Sequence, residues 1–204
     1  MSNNKVDVNI YGAVLGNAAG VAIANSAAGS SLTINPGGIL GGGCTGGSPA
    51  DCNSDGYALL GMNQQAHVTA INNGTVIGSL DPAPNTVTFN NYGKYFSGRE
   101  ITHIDFNDYG TTYLGQQPGK ILDVTMTGVN YRYSNNAMLI VDADFVHGIP
   151  DKLHLVGSTF QRVTSKAFGT SPAAGRPPPN SRCPIPLPVW TTPMPSTTSV
   201  SCRA

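Results

Sequence analysis

The sequence predicts an all-β protein: an antiparallel β-sandwich, jelly roll or barrel core with a Gly-rich N-terminal arm and a Pro-rich C-terminal arm. Three observations carry this expectation. Helix-forming material is scarce, because only Glu100 is a glutamate among eleven acidic residues and there are five lysines, whereas surface helices draw on Glu, Lys, Gln and Arg. Turn formers are abundant, with 25 Gly and 15 Pro, and both interrupt helices. Finally, apolar residues alternate with polar ones at the period of two that marks a half-buried strand.

The alternation starts at once, with Val6, Val8 and Ile10 set against Asp7 and Asn9. Residues 1–64 otherwise read as a small-residue arm, containing a short strand at Leu32–Ile34 and the runs Pro36-Gly37-Gly38 and Gly41-Gly42-Gly43. Residues 65–169 read as the packed core. There, His67 to Ile71 alternates, and Asn72-Asn73-Gly74 is a hairpin signal, since a tight two-residue turn requires positive φ. Strands follow at 75–80 and 86–89, then at 100–106 and 111–114, each closed by Gly, Pro, Asn or Asp.

From 121 to 133 the apolar parity changes. Leu122, Val124 and Met126 share one face, but after Gly128 the apolar set is Val129, Tyr131 and Tyr133. A strand cannot change parity in place, so the sequence predicts a bulge or sharp bend at Thr127-Gly128. Strands at 138–146, 152–156 and 158–165 complete the core, with Asp142 and Asp144 expected to face water. Residues 170–204 contain nine prolines, so neither a ladder nor a helix is expected there. Trp190, the single tryptophan, lies in this arm and needs a partner surface to cover its ring.

The four cysteines fall into two local pairs, Cys44 with Cys52 and Cys183 with Cys202. Neither spacing is that of a zinc knuckle, so two disulfides are expected, although four cysteines allow three connectivities. Disulfides imply an oxidising compartment. Residues 1–8 nonetheless lack the basic and apolar regions of a signal peptide. Removal of a leader, or release by lysis as for a virion protein, reconciles the two, and the expected location is a virion or the extracellular space.

Net charge is zero and no run of Lys or Arg is present, which excludes an electrostatic footprint for nucleic acid or an anionic membrane. The stretch from Gly12 to Gly29 is too often interrupted to span a bilayer. Asp51, Asn53 and Asp55, followed by Gly56, match the start of a calcium loop, but Met62 stands where the bidentate Glu belongs. Calcium is therefore the one cofactor suggested, against the plainer reading of an Asx-turn beside a disulfide. His103, Asp105 and Asp108 are the candidate acid–base group, against the plainer reading of solvated strand faces. No nucleophile elbow, P-loop or H-E-x-x-H is present. Tyr92, Tyr95, Tyr109, Tyr113 and Trp190 are the candidate contact residues. The function expected is that of a structural, non-enzymatic subunit of an extracellular assembly, such as a virion spike, tail, capsid decoration or fibre. Its partners are itself and neighbouring subunits, and the alternative is a carbohydrate-binding or adhesin module.

Overall fold

A computed structural model describes residues 5–24, 29–53, 55–62, 67–83, 86–115, 122–144, 149–162, 182–186 and 199–200. The chain winds as a parallel β-solenoid of three faces. Its first coil holds β1 (Asp7–Ile10), β2 (Ala13–Gly16) and β3 (Ala19–Ile23), and the second holds β4 (Ser30–Ile34), β5 (Ile39–Gly42) and β6 (Tyr57–Gly61). In the third and fourth coils one long strand spans two faces: β7 (His67–Asn72) leads to β8 (Thr75–Asp81), and β9 (Thr86–Asn91) to β10 (Lys94–Thr102). The fifth coil is β11 (Ile104–Asp108), β12 (Thr111–Tyr113) and β13 (Asp123–Thr127). The sixth is β14 (Asn130–Tyr133), β15 (Met138–Asp144), the short β16 (Ile149–Pro150) and β17 (Lys152–Val156), and β18 (Thr159–Arg162) begins a seventh.

One face stacks β1-β4-β7-β9-β11-β14-β18, every neighbouring pair parallel. The other two share a sheet that divides at β8 and β10, with β5 and β12 against their first halves and β6 and β13 against their second halves. The chain is all-β as expected, and no α-helix occurs among the described residues, but the pairing is parallel where an antiparallel sandwich was expected. Period-two alternation is the same in both kinds of sheet, so it carries no information about strand direction.

The turn signals misled for a related reason. Asn72-Asn73-Gly74 is not a hairpin: β7 pairs with β4 and β9, not with β8. It is one corner of a coil, repeated at Asn91-Tyr92-Gly93 and Asp108-Tyr109-Gly110. None of these glycines has positive φ. They are needed because the carbonyl of the preceding coil sits where a Cβ would be: 2.2 Å away for Gly93 under the Gly74 oxygen, and 2.3 Å for Gly110 under the Gly93 oxygen. Those same carbonyls accept from the next corner, Lys94 N–H onto Gly74 at 2.9 Å and Thr111 N–H onto Gly93 at 3.0 Å.

The described residues of the stretch 1–64, expected as an arm, supply the first two coils of the same solenoid. β4 pairs with β7 and β6 with β8, and Ile10, Leu32, Ile34 and Leu40 join the common core. The glycines that suggested looseness mark close approach instead: a Cβ on Gly42 would lie 2.0 Å from the Tyr57 carbonyl. The expected bend at Thr127-Gly128 is present. Gly128 has φ +62 and turns the chain from β13 on one face to β14 on the next.

In-register stacking lines the interior with columns. Leu32, Ala70, Phe89, Phe106, Tyr131 and Phe160 occupy one column, and its aromatic rings pack at 5.0, 4.8 and 4.4 Å between centroids. Two further strands come from the Pro-rich segment. β19 (Arg182–Pro186) runs antiparallel on β15, and β20 (Ser199–Val200) antiparallel on β17. A ladder there was not expected. Pro184 and Pro186 share one parity, so both missing N–H groups fall on the same edge of β19, and an edge strand tolerates this. Trp190, Cys202 and the side chain of Cys183 lie outside the described residues. Among the described residues no helix is long and apolar enough to cross a membrane.

The corner sterics give a direct comparison. Gly93→Ala is expected to lower the unfolding free energy by about 3 kcal/mol through overpacking. Gly12→Ala, with no atom within 4 Å of the added Cβ, should leave it nearly unchanged. Urea titration followed by circular dichroism reads both.

Candidate assembly surfaces

The polar residues sort into an interior ladder, an exterior ladder and a disulfide-closed loop. The interior ladder lies at the corner after the first face, where Asn72, Asn91 and Asp108 occupy successive coils and are fully buried. The Asn72 amide donates to Asn91 Oδ1 at 2.8 Å, and the Asn91 amide to Asp108 Oδ1 at 2.9 Å. Asn72 and Asp108 also hold their own turns: Gly74 N–H donates to Asn72 Oδ1 at 3.0 Å and Gly110 N–H to Asp108 Oδ1 at 3.1 Å. Asp108 Oδ2 accepts from Thr112 at 2.8 Å and from the Tyr131 hydroxyl. Burial raises the Asp108 carboxyl above its ordinary range, and these four donors only partly offset it.

Asp105 faces outward on the same strand and accepts from the Asn130 amide at 2.7 Å. Beside it Asn107 donates to Asn90 at 2.9 Å, forming an exterior ladder. His103 is exposed at the corner between β10 and β11, with φ +47, and its ring lies over Gly128. The candidate acid–base group therefore does not converge, because Asp105 and Asp108 have opposite parity and face opposite sides of the wall. His67 and His154 are exposed, while His147 lies outside the described residues.

Asp142, expected to face water, is buried. Its backbone N–H donates to Asp151 Oδ2 at 2.6 Å, and Leu122 N–H donates to Asp151 Oδ1 at 2.7 Å. Asp151 thus ties the start of β13 to β15, a role no sequence motif signalled. Burial pushes its carboxyl up to about 6, against the pull of these two N–H donors. The side chain of Asp144 lies outside the described residues.

The loop between β5 and β6 is closed by the Cys44–Cys52 disulfide, as expected from the local pairing. Its sulfurs lie over Gly41 on the outer wall beside Leu15, and the bridge packs with Ile77. The three candidate calcium ligands serve the loop itself. Asp51 accepts from Ser48 N–H at 3.1 Å in a capping box, Asn53 Oδ1 accepts from Asp55 N–H at 2.9 Å, and Asp55 pairs with Arg99 at 2.7 Å. Among the described residues no three His, Cys, Asp or Glu side chains cluster as a metal site.

Of the candidate contact residues, Tyr95 belongs to the core instead. It is fully buried, its ring packs against Phe89 and Phe106, and its hydroxyl donates to the Gly78 carbonyl at 3.1 Å. Its even spacing from the corner glycine places it on the inward face. Tyr92 and Tyr109 follow successive ladder residues and stack at 4.7 Å, with their rings nearly parallel, at an exposed corner. Tyr113 stacks on Phe96 at 4.3 Å on the outer wall.

The first coil exposes Val6, Val8, Tyr11 and Val14, four of the nine large apolar side chains exposed among the described residues. A cavity of about 130 Å³ opens beside them, lined by Val6, Val8, Val21, Ile23, Leu32 and Val68 among others. The sequence signalled the apolar alternation of this coil but not that its strands pair on one side only among the described residues. No family model matches the chain, and neither a curated protein nor a solved structure matches it.

Two outcomes test the polar network. Asn91→Leu removes the middle rung and leaves Asp108 Oδ1 short of a buried donor, so a loss of about 3 kcal/mol is expected, while Asn107→Leu on the exterior ladder should change stability by less than about 0.5 kcal/mol. The Asp151 carboxyl is raised in the fold, so its contribution is fully present below the unfolded pKa and is lost as pH rises through about 6. Denaturant midpoints of the native protein, measured against Asp151→Asn from pH 4 to 7.5, should therefore fall relative to the variant by on the order of 2–3 kcal/mol.

Proposed function

We propose that the protein is a structural, non-enzymatic subunit of an extracellular assembly, a spike, tail or fibre component such as a virion carries, which associates with copies of itself and with neighbouring subunits. The observation carrying this reading is a stack of coils whose first strand, β1, pairs on one side only among the described residues and whose first coil exposes apolar side chains. Such edges are templates for pairing with another chain. Two further features support it. The buried carboxylates Asp108 and Asp151 bind backbone and neighbouring coils rather than lining a cleft. The Cys44–Cys52 bridge suits an oxidising location.

A carbohydrate-binding role is the second reading, favoured by the stacked Tyr92–Tyr109 pair at an exposed corner. Glycan-array binding that disappears in Tyr92→Ala with Tyr109→Ala would establish it over the first. For the structural reading, light scattering coupled to size exclusion should show mass rising with concentration. A sample that keeps the monomer mass of 21.1 kDa when concentrated would refute it.

A further inference from the structure

We infer that the first coil is a two-fold docking surface for a second copy of this chain, with β1 of each copy paired antiparallel and centred on Val8; this rests on the self-association proposed above. The two ends of the solenoid differ. At the C-terminal end β19 and β20 lie on β15 and β17, while β18 pairs with β14 alone among the described residues. At the N-terminal end β1, β2 and β3 each pair on one side only among the described residues, with β4, β5 and β6. Among the described residues no strand covers β1 or β2 on that side, so a like end offers a matching set of edges.

The hydrogen-bonding phase of β1 selects the register. The carbonyls of Val6 and Ile10 accept from Ser31 and Asn35, each at 2.9 Å. Peptide groups alternate in direction along a strand, so those of Asp7 and Asn9 face away from β4, toward an incoming strand. Centring on Val8 places Asp7 of each copy opposite Asn9 of the other, where the two exchange both backbone hydrogen bonds. Val8 then meets Val8 at the closer, non-hydrogen-bonded position, and Val6 meets Ile10. Apolar residues face apolar ones, the interior column above Leu32 is continued by valine, and Lys5 falls opposite Tyr11, so like charges do not meet. A two-fold axis through this face exchanges the other two, bringing β2 of one copy onto β3 of its partner. Both strands are uncharged and built of small and aliphatic residues.

Residues 6–23 form the whole contact, fewer than the roughly 20–30 per side of a stable interface, so the dimer is expected to be reversible, in the micromolar range. Sedimentation velocity across that range should show 21.1 kDa giving way to twice that mass. Val8→Lys should weaken association at least about tenfold, the cost of a desolvated like-charge pair. Val8→Cys should link to itself on air oxidation. Val14→Cys should not, since β2 meets β3 rather than itself. Each substitution is at an exposed side chain of the free monomer. A protein monomeric at every concentration overturns both this inference and the self-association reading. Association that persists unchanged in Val8→Lys, without a Val8→Cys link, overturns this inference alone.

Discussion

Parallel, in-register stacking of coils is the constraint on which the structure depends. Neighbouring strands lie about 4.8 Å apart, so any residue on the wall has the equivalent residue of the next coil directly above it. A side chain at a given position is therefore chosen against its own column. Where the column is interior and the partners are flat rings, it becomes the run from Phe89 to Phe160. Where it crosses a corner, two backbones approach until no Cβ fits, and glycine recurs at 74, 93 and 110. Where corner peptides need a partner inside the wall, the amides of Asn72 and Asn91 and the carboxyl of Asp108 stack.

The same constraint explains how a chain with so few charges keeps polar groups buried. An amide in a column both donates and accepts, so each rung satisfies the next and the series can be extended by any number of coils. It must end on a group that takes a donor without passing one on. Asp108 does this, accepting from Asn91 below and from Tyr131 and Thr112 beyond. Its raised carboxyl reflects how little water reaches that end of the ladder.

Stacking also makes the ends chemically different from the walls. The walls are complete once a coil has neighbours on both sides, whereas a terminal coil carries unpaired backbone along its whole perimeter. The chain treats its two ends unlike each other. Antiparallel strands cover β15 and β17, and the one on β15 carries Pro184 and Pro186, whose missing N–H groups limit further pairing. The first coil has no such cover among the described residues, and its apolar side chains and cavity remain in contact with solvent.

The sequence by itself determined that this chain is built of strands, because lack of helix formers and period-two alternation are local properties. It also determined the bend at Thr127-Gly128, since parity within a strand is conserved, whereas the Cys44–Cys52 pairing was one of three connectivities open to the sequence and was fixed by the fold. Only the tertiary structure decided strand direction, because alternation is identical in parallel and antiparallel sheets. It likewise decided what Asn-x-Gly means here: a hairpin uses the glycine for positive φ, whereas this corner uses it for a missing Cβ. The clue that could have separated these was recurrence, since Asn72, Asn91 and Asp108 each precede a glycine by two and follow one another at intervals of 19 and 17 residues. Which aspartates lie inside stayed hidden for the same reason. Asp105 and Asp108 look alike in the sequence, and only the column that each one enters places one in water and the other in the wall.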